Sequence, residues 1–213
     1  MDIKLKKEID LDELKALVRT VPLMGLDKDG NKIFPYKNAK IELRTVDPNE
    51  LNPSTFYLLK GNVDFQREMR ASLLAKEGVD SLKLDGGLEI LNGNENWRLI
   101  PPIVELTEEK VFFANDRGDV TYPAFTIVKI PTIVDGANRC ALARGIGSTI
   151  NVLYISGVSY DHPFYALPNE WEKVQIHEEV PLMGLKKYYR RKDSYVLYRD
   201  FSVLGCGGPR YTK

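Results

Sequence analysis

The sequence predicts a mixed α/β protein, more exactly an α+β fold with a mixed sheet, and three observations support this. The 213 residues are 43% hydrophobic, which is enough for one well-packed core. Alternating β-type patterns dominate the chain between Trp97 and Ile155. Helical periodicity interrupts the strand patterns at three places. We therefore expect one core with extensions at both ends.

The first forty residues predict a short helix followed by a hairpin. Asp10 stands where an N-cap residue is expected, and Glu13 follows three residues later as in a capping box. The helix should continue to about Val18. Apolar runs on both sides of the polar turn at 27–31 then predict a β-hairpin.

The middle of the chain begins with a predicted strand over 41–46 and a predicted helix over 63–76, which Gly78 should end. Several short strands follow. The polar turn at 115–119 joins two of them, so we interpret 110–128 as a β-hairpin. The strands are predicted over 97–100, 103–106, 110–114, 120–128, 129–134 and 150–155.

An Ala-rich stretch after an Asp-Gly turn predicts a third, short helix from about Asn138 to Gly145 or Gly147. A strand pattern precedes this helix and another follows it. The interval is just long enough for a right-handed parallel crossover. We therefore expect the flanking strands to be parallel and Ala141 to be buried against the sheet.

The predicted organisation is an N-terminal arm over 1–40, a core over 41–157 and a C-terminal extension over 158–213. The extension has no pair of amphipathic helices, so a helix-turn-helix is not expected. One hexapeptide, Val-Pro-Leu-Met-Gly-Leu, occurs at 21–26 and again at 180–185. Our first interpretation is that both copies are apolar connections packed on the core. The alternative is that they flank the site or pair at a dimer interface.

Composition excludes several classes of function. Thirty basic residues balance thirty acidic ones, so no overall field attracts nucleic acid. The charged N-terminus lacks the apolar core of a signal peptide and no apolar run has bilayer-spanning length, so we expect a cytoplasmic protein without membrane contact. Cys140, Cys206, His162 and His177 show none of the usual ligand spacings, so no metal site is predicted. The oligomeric state is left open.

The candidate site is the turn before the Ala-rich helix. The first N–H groups of a helix lack intrahelical partners and carry partial positive charge, and Arg139 lies in this first turn. Gly136 has no Cβ to block a ligand, and a guanidinium pairs well with phosphate oxygens. We therefore predict a phosphate-type anion site formed by Gly136, Ala137, Asn138 and Arg139.

Asp135 precedes the predicted anion site, and two interpretations of it stay open. It could orient magnesium or accept a proton from an acceptor hydroxyl while Arg139 holds the phosphoryl group, which would make both residues catalytic. Equally, it could be only the N-cap of the helix.

Residues 98–156 resemble the ParB/sulfiredoxin superfamily. Residues 133–147 match its "(Asp/Glu)-Gly-x-(His/Arg/Asn)-Arg-x-x-Ala" loop and helix, and 98–104 and 150–155 match its neighbouring strands. The resemblance implies a ParB/sulfiredoxin-like domain in which 110–128 is an insertion. It also implies a nucleotide as ligand, namely ATP, ADP or CTP with or without magnesium, gripped by the loop through its phosphates.

Departures from the family pattern reduce the number of functions that the resemblance implies for this chain. Ala137 occupies the position of the reactive cysteine of sulfiredoxin, so sulfinic-acid reduction by that route is excluded. Asn138 replaces the more usual His or Arg, and the helix-turn-helix module of partition proteins is missing. Two kinds of protein remain. One is a phosphotransferase or nucleotide hydrolase that acts on a nucleotide or a phosphorylated small molecule, and the other is a non-catalytic, nucleotide-gated interaction protein. Cys140, next to Arg139, is interpreted as a buried small side chain.

A rival hypothesis is a nucleic-acid-binding or nuclease-like protein. Basic and aromatic residues alternate in the C-terminal extension, and such a mixture can pair with DNA or RNA phosphates and stack on bases. The candidate residues are Lys186, Lys187, Tyr189, Arg190 and Arg191.

Carboxylates surround the predicted inserted hairpin and could in principle hold a metal. Their spacing is unspecific, so we interpret them as solvated surface groups. They are Glu105, Glu108, Glu109 and Asp116.

Overall fold

A computed structural model describes residues 3–114, 120–182 and 184–205, with backbone alone over 111–114 and 120–124. Within these residues the protein is an α+β fold with three helices and ten strands. The helices are α1 (Leu11–Arg19), α2 (Lys60–Glu77) and α3 (Ala137–Gly145). The strands are β1 (Ile3–Ile9), β2 (Lys40–Val46), β3 (Asn52–Pro53), β4 (Tyr57–Leu59), β5 (Gly87–Asn92), β6 (Glu95–Leu99), β7 (Ile103–Ala114), β8 (Val120–Asp135), β9 (Ile150–Ser156) and β10 (Gln175–His177).

The residues predicted to cap α1 and α2 stand at the ends of these helices. The Asp10 carboxylate accepts hydrogen bonds from the backbone N–H groups of Asp12 and Glu13 at the start of α1. Glu13 does not complete a capping box, because its carboxylate pairs with Lys7. Gly78 ends α2 in the left-handed region, with φ of 69°.

A mixed five-stranded sheet in the order β2-β9-β7-β8-β3 forms the centre of the molecule. β7 is antiparallel to β8 and parallel to β9. The prediction of a parallel crossover through α3 is therefore wrong: β8 and β9 run in opposite directions with β7 between them. β8 already pairs with β7 on one side and with β3 on the other. The chain therefore crosses over to the free edge of β7, where β9 pairs.

Two smaller sheets complete the fold. β1, β5 and β6 form an antiparallel sheet, and β10 pairs in parallel with β4. β1 was not expected from the sequence. Its three lysines and Glu8 are exposed while Ile3 and Ile9 are buried, so few apolar residues mark this edge strand.

The β7–β8 pair corrects the predicted strand lengths. We expected separate strands over 103–106 and 110–114, but β7 is continuous, and β8 likewise continues from Val120 to Asp135. The described parts of the predicted inserted hairpin, 110–114 and 120–128, thus continue the same two strands. The predicted turn at 115–119 lies outside the described residues.

The central sheet is covered on both faces. Side chains of successive strand residues point to opposite faces, so Ile103 packs with α1 while Val104 packs with α3. A third apolar cluster joins α2 to the small antiparallel sheet through Leu73 and Trp97. Because α3 begins directly at the end of β8, these layers fix the position of its first turn.

A buried ion pair attaches the C-terminal segment to the sheet. Arg199 donates to both carboxylate oxygens of Glu105 at 2.9 and 3.1 Å, and the Tyr36 hydroxyl donates to the same carboxylate at 2.9 Å. Glu105 is only 2% exposed, so its interpretation as a solvated surface group is wrong. The Glu105 side chain lies on the face of the central sheet that the C-terminal segment covers. Glu108 and Glu109 pair with Lys129 and Arg190, and Asp116 lies outside the described residues.

The two hexapeptide copies differ in burial. In the first copy Val21, Pro22 and Leu23 are buried, as expected for a connection packed on the core. In the second copy Leu182 is fully exposed, so that interpretation is wrong for this copy. This second copy follows β10 and is not covered by a sheet. Within the described residues no helix is long and apolar enough to cross a bilayer.

Candidate functional site

The first turn of α3 borders a cleft of about 340 Å³. Gly136 is the N-cap residue with φ of 87°, and the helix has no side-chain cap. A Cβ at Gly136 would lie 2.7 Å from Cβ of Pro102, so glycine is required here both by conformation and by space. The alternative interpretation of Asp135 as the helix cap is therefore wrong, because Gly136 holds that position.

All five residues of the predicted loop line this cleft: Asp135, Gly136, Ala137, Asn138 and Arg139. Asp135 ends β8 and is partly exposed. Arg139 is 6% exposed, and its guanidinium donates to the carbonyl of Ile100. The five predicted site residues thus lie on one concave surface.

Lys187 from the C-terminal segment reaches the same cleft. Its ammonium donates to the Ser54 hydroxyl at 3.2 Å and to the Tyr165 hydroxyl, and no described carboxylate lies within ion-pairing distance. Burial and the neighbouring Lys186 lower the pKa of Lys187 to about 8, while Asp135 acts in the opposite direction. A partly buried ammonium with neutral partners costs free energy in a folded protein, and a negatively charged ligand bound beside it would offset that cost.

Several buried polar atoms at the cleft have no hydrogen-bond partner within the described residues. Within the described residues five buried side-chain nitrogen or oxygen atoms lack a hydrogen bond, and three of these belong to cleft residues. They are Gln66 Oε1, Arg98 Nε and Asn138 Oδ1. Buried polar groups are normally satisfied, so a cluster of exceptions marks a place where a ligand or water completes the bonding.

Sequence reasoning missed several residues of the cleft, namely Ser54, Asn62, Gln66 and Arg98. They come from the chain after β3, from α2 and from β6, and no local motif marks them. Arg98 also bonds to Glu89 and to the carbonyl of Leu204, which holds its guanidinium in place. Only the arrangement of distant elements brings these side chains together.

The candidate nucleic-acid residues divide into two groups. Lys186 and Lys187 line the cleft beside α3, whereas Arg190 is engaged in a bidentate ion pair with Glu109 and Arg191 pairs with Asp193. Tyr189 is 46% exposed and borders a larger cleft of about 1,120 Å³, which shares residues with the first. The basic and aromatic segment thus does not form one continuous free surface.

Cysteine and metal chemistry receive no support from the geometry. Cys140 is completely buried, as predicted, and burial raises the pKa of its thiol to about 12. Cys206 lies outside the described residues. The described residues contain no group of three or more His, Cys, Asp or Glu side chains that could hold a metal ion.

The fold and the cleft together define an α+β protein whose central sheet ends at a glycine-capped helix facing a cationic pocket. Comparison with known protein families agrees with this class. The model of the ParB CE domain matches residues 13–176, which is more than half of the chain, so the protein belongs to the ParB CE domain family. This confirms the predicted ParB-like resemblance. No curated protein and no solved structure matches the chain.

Proposed function

We propose that this ParB-like protein binds a nucleotide, with its phosphate groups in the cleft at the start of α3. The observation that carries the proposal is Lys187, whose partly buried ammonium donates to neutral hydroxyl groups and lies in the same cleft as the N-terminus of α3, which has no side-chain cap. A helix N-terminus favours anions, and a partly buried cation favours them more strongly because less water screens it.

Three further features of the cleft support a phosphate ligand. Gly136 offers backbone without a Cβ, Arg139 contributes a guanidinium, and Arg98 has a buried N–H without an acceptor. Phosphate oxygens accept several hydrogen bonds at once, so a phosphate group matches this set of donors.

The direct test is titration calorimetry with ATP, ADP and CTP, with and without magnesium. The wild-type protein should bind at least one of them, and Lys187→Met should weaken that binding at least tenfold because the buried charge is lost. Lys192→Met is the matched control, since Lys192 is an exposed lysine of the same segment. Absence of binding by the wild type, or equal losses in both variants, would contradict the proposal.

A second candidate function is phosphoryl transfer, and the position of Asp135 favours it. Because Gly136 is the helix cap, the Asp135 carboxylate is not used for capping and lies on the cleft wall. It would accept the proton of an acceptor hydroxyl as that oxygen bonds to the terminal phosphorus and the bond to the departing phosphate breaks. Magnesium would be held mainly by the nucleotide phosphates, since Asp135 is the carboxylate lining this cleft.

Phosphoryl transfer and simple binding are separated by Asp135→Asn. If the residue is the base, the variant should bind nucleotide as the wild type does and lose turnover of ATP or ADP by at least a hundredfold, as measured by product formation. A wild-type protein that binds nucleotide without any turnover would instead identify a nucleotide-gated interaction protein.

The nucleic-acid hypothesis has weaker support than nucleotide binding. Two of its five residues, Arg190 and Arg191, already pair with carboxylates, and Lys186 and Lys187 belong to the cleft. A salt-dependent gel shift with short DNA or RNA that vanishes in the Arg190→Ala, Arg191→Ala double variant but survives Arg139→Ala would restore it.

A further inference from the structure

The cleft at α3 continues into a larger cavity with an aromatic wall. Asp135, Asn138, Lys186 and Lys187 line both the phosphate-sized cleft and the cavity of about 1,120 Å³. That volume is slightly above the usual range for a small-molecule site and is larger than a phosphate group alone requires. A ligand held by the phosphate cleft therefore has room to extend in this direction.

Four tyrosines line the cavity, and three of them, Tyr165, Tyr189 and Tyr198, are grouped together. The ring centres of Tyr165 and Tyr198 are 4.0 Å apart, and those of Tyr165 and Tyr189 are 6.2 Å apart with the rings 24° from parallel. We call this group the tyrosine wall. The wall begins at the phosphate cleft, because Lys187 Nζ lies 4.7 Å from the Tyr165 ring centre and donates to its hydroxyl.

Exposure sets the tyrosine wall apart from the core aromatics. Phe164 and Tyr36 are completely buried, whereas Tyr189 keeps 46% of its surface exposed although it lies beside other rings. An exposed ring on the wall of a cavity provides a flat apolar face for another ring at little cost in conformational entropy, since tyrosine has two side-chain torsions.

We propose that the tyrosine wall stacks the base of the nucleotide whose phosphates occupy the cleft, so that Tyr189 is a base-binding residue that favours ligands with a base over ligands without one. The inference rests on the proposed function and adds a second subsite to it. Tyr189 and Tyr198, like Lys186 and Lys187, lie beyond the residues matched by the family model. The segment from 186 to 202 thus adds two of the three rings of the tyrosine wall and both lysines to a cleft whose other residues belong to the matched region.

Stacking predicts broad acceptance of bases, because every base offers a flat face and the wall reads no hydrogen-bonding edge. A free nucleotide and the phosphorylated 5′ end of a single strand present the same chemistry to the two subsites. Both are therefore probes of one site, and their relative affinities identify the natural source.

The test compares ligands with and without a base by titration calorimetry. The probes are ATP, CTP, a 5′-phosphorylated trinucleotide and inorganic tripolyphosphate, and the proteins are the wild type, Tyr189→Ala, Tyr189→Phe and Tyr195→Ala. Tyr195 is the matched control, since it is a 67% exposed tyrosine of the same segment that does not line the cavity.

For the wild type we expect ATP and CTP to bind at least tenfold more tightly than tripolyphosphate, in line with the size of aromatic stacking on a base. Tyr189→Ala should reduce nucleotide affinity to that of tripolyphosphate and leave tripolyphosphate binding unchanged, while Tyr189→Phe and Tyr195→Ala should behave as the wild type. The trinucleotide should respond to these changes as ATP does.

The outcomes distinguish the inference from the proposed function. Equal binding of ATP and tripolyphosphate by the wild type, or equal weakening of both by Tyr189→Ala, would overturn the base site and leave the phosphate cleft in place. If neither ligand binds the wild type, the proposed function fails and the base site fails with it.

Discussion

Lys187 is the residue on which the interpretation of the site depends most. Its ammonium is partly removed from water, forms no ion pair with a carboxylate within the described residues and donates to two hydroxyl groups. Such an arrangement reduces the stability of the folded chain, because a charged group loses hydration without full compensation. Residues that are costly in this way often belong to functional sites.

Nucleotide affinity should depend on pH through Lys187. The cation binds phosphate only when protonated, so affinity should be constant below its pKa of about 8 and should fall above it by up to about tenfold per pH unit. Bound phosphate raises this pKa again, so binding near pH 8 takes up protons. Calorimetry in buffers of different ionisation enthalpy measures that uptake. An affinity that stays flat from pH 7 to pH 9.5 would contradict this role.

Lys187→Met should make the protein more stable while it weakens nucleotide binding. The folded pKa of about 8 lies below the ordinary value of 10.5, so the folded state binds fewer protons between these values, and the penalty is present at neutral pH and shrinks as pH rises through this window. We expect a gain of about 1–3 kcal/mol at pH 7 by urea unfolding, declining toward pH 10. A loss of stability at pH 7 would show that the lysine is a structural residue.

At the scale of elements, the junction between β8 and α3 determines the geometry of the site. β8 ends at Asp135, Gly136 turns the chain in the left-handed region, and α3 begins at Ala137 with Pro102 directly against the glycine. The contact with Pro102 places the first turn of α3 beside the start of β7. A side chain at position 136 would separate these elements and move the cleft residues.

Gly136→Ala should therefore be strongly destabilising. Alanine at φ of 87° is strained, and its Cβ would overlap Pro102, so we expect a loss of at least about 2 kcal/mol in the free energy of unfolding. Gly61→Ala is the control: it lies in the first turn of α2 with open space around it, and should be neutral or stabilise by up to about 1 kcal/mol. Equal effects of the two substitutions in denaturant unfolding would refute the requirement for glycine at 136.

At the scale of the whole molecule, the C-terminal segment completes the structure that the sheet begins. It carries Arg199 to the buried Glu105 of β7, and Leu204 packs into the apolar cluster under α1. The same segment brings Lys187 and the tyrosine wall to the start of α3. The ion pair at Glu105 thus helps to hold the proposed ligand groups in position.

Arg199→Met should cost about 3–5 kcal/mol of stability, because it leaves the Glu105 carboxylate buried without its cation. Arg191→Met is the control, since it removes an exposed pair with Asp193 and should change stability by less than about 1 kcal/mol. Urea unfolding measures both values. Adding Glu105→Gln to Arg199→Met should recover part of the loss. A cost no larger than that of Arg191→Met would show that the pair contributes little.

The sequence by itself determined the local features of this protein. The cap at Asp10, the end of α2 at Gly78, the loop at 135–139 and the ParB-like relationship all depend on residues close together in the chain, where backbone geometry and hydrogen bonding act directly.

Only the tertiary structure determined which residues that are distant in sequence lie close together. The order of the central strands, the burial of Glu105 and the arrival of Lys187 at α3 depend on which surfaces lose water together, and side chains distant in sequence carry no local sign of this. The loop at 135–139 is therefore visible in the sequence, whereas the lysine and the tyrosines beside it come together only when the C-terminal segment packs on the sheet.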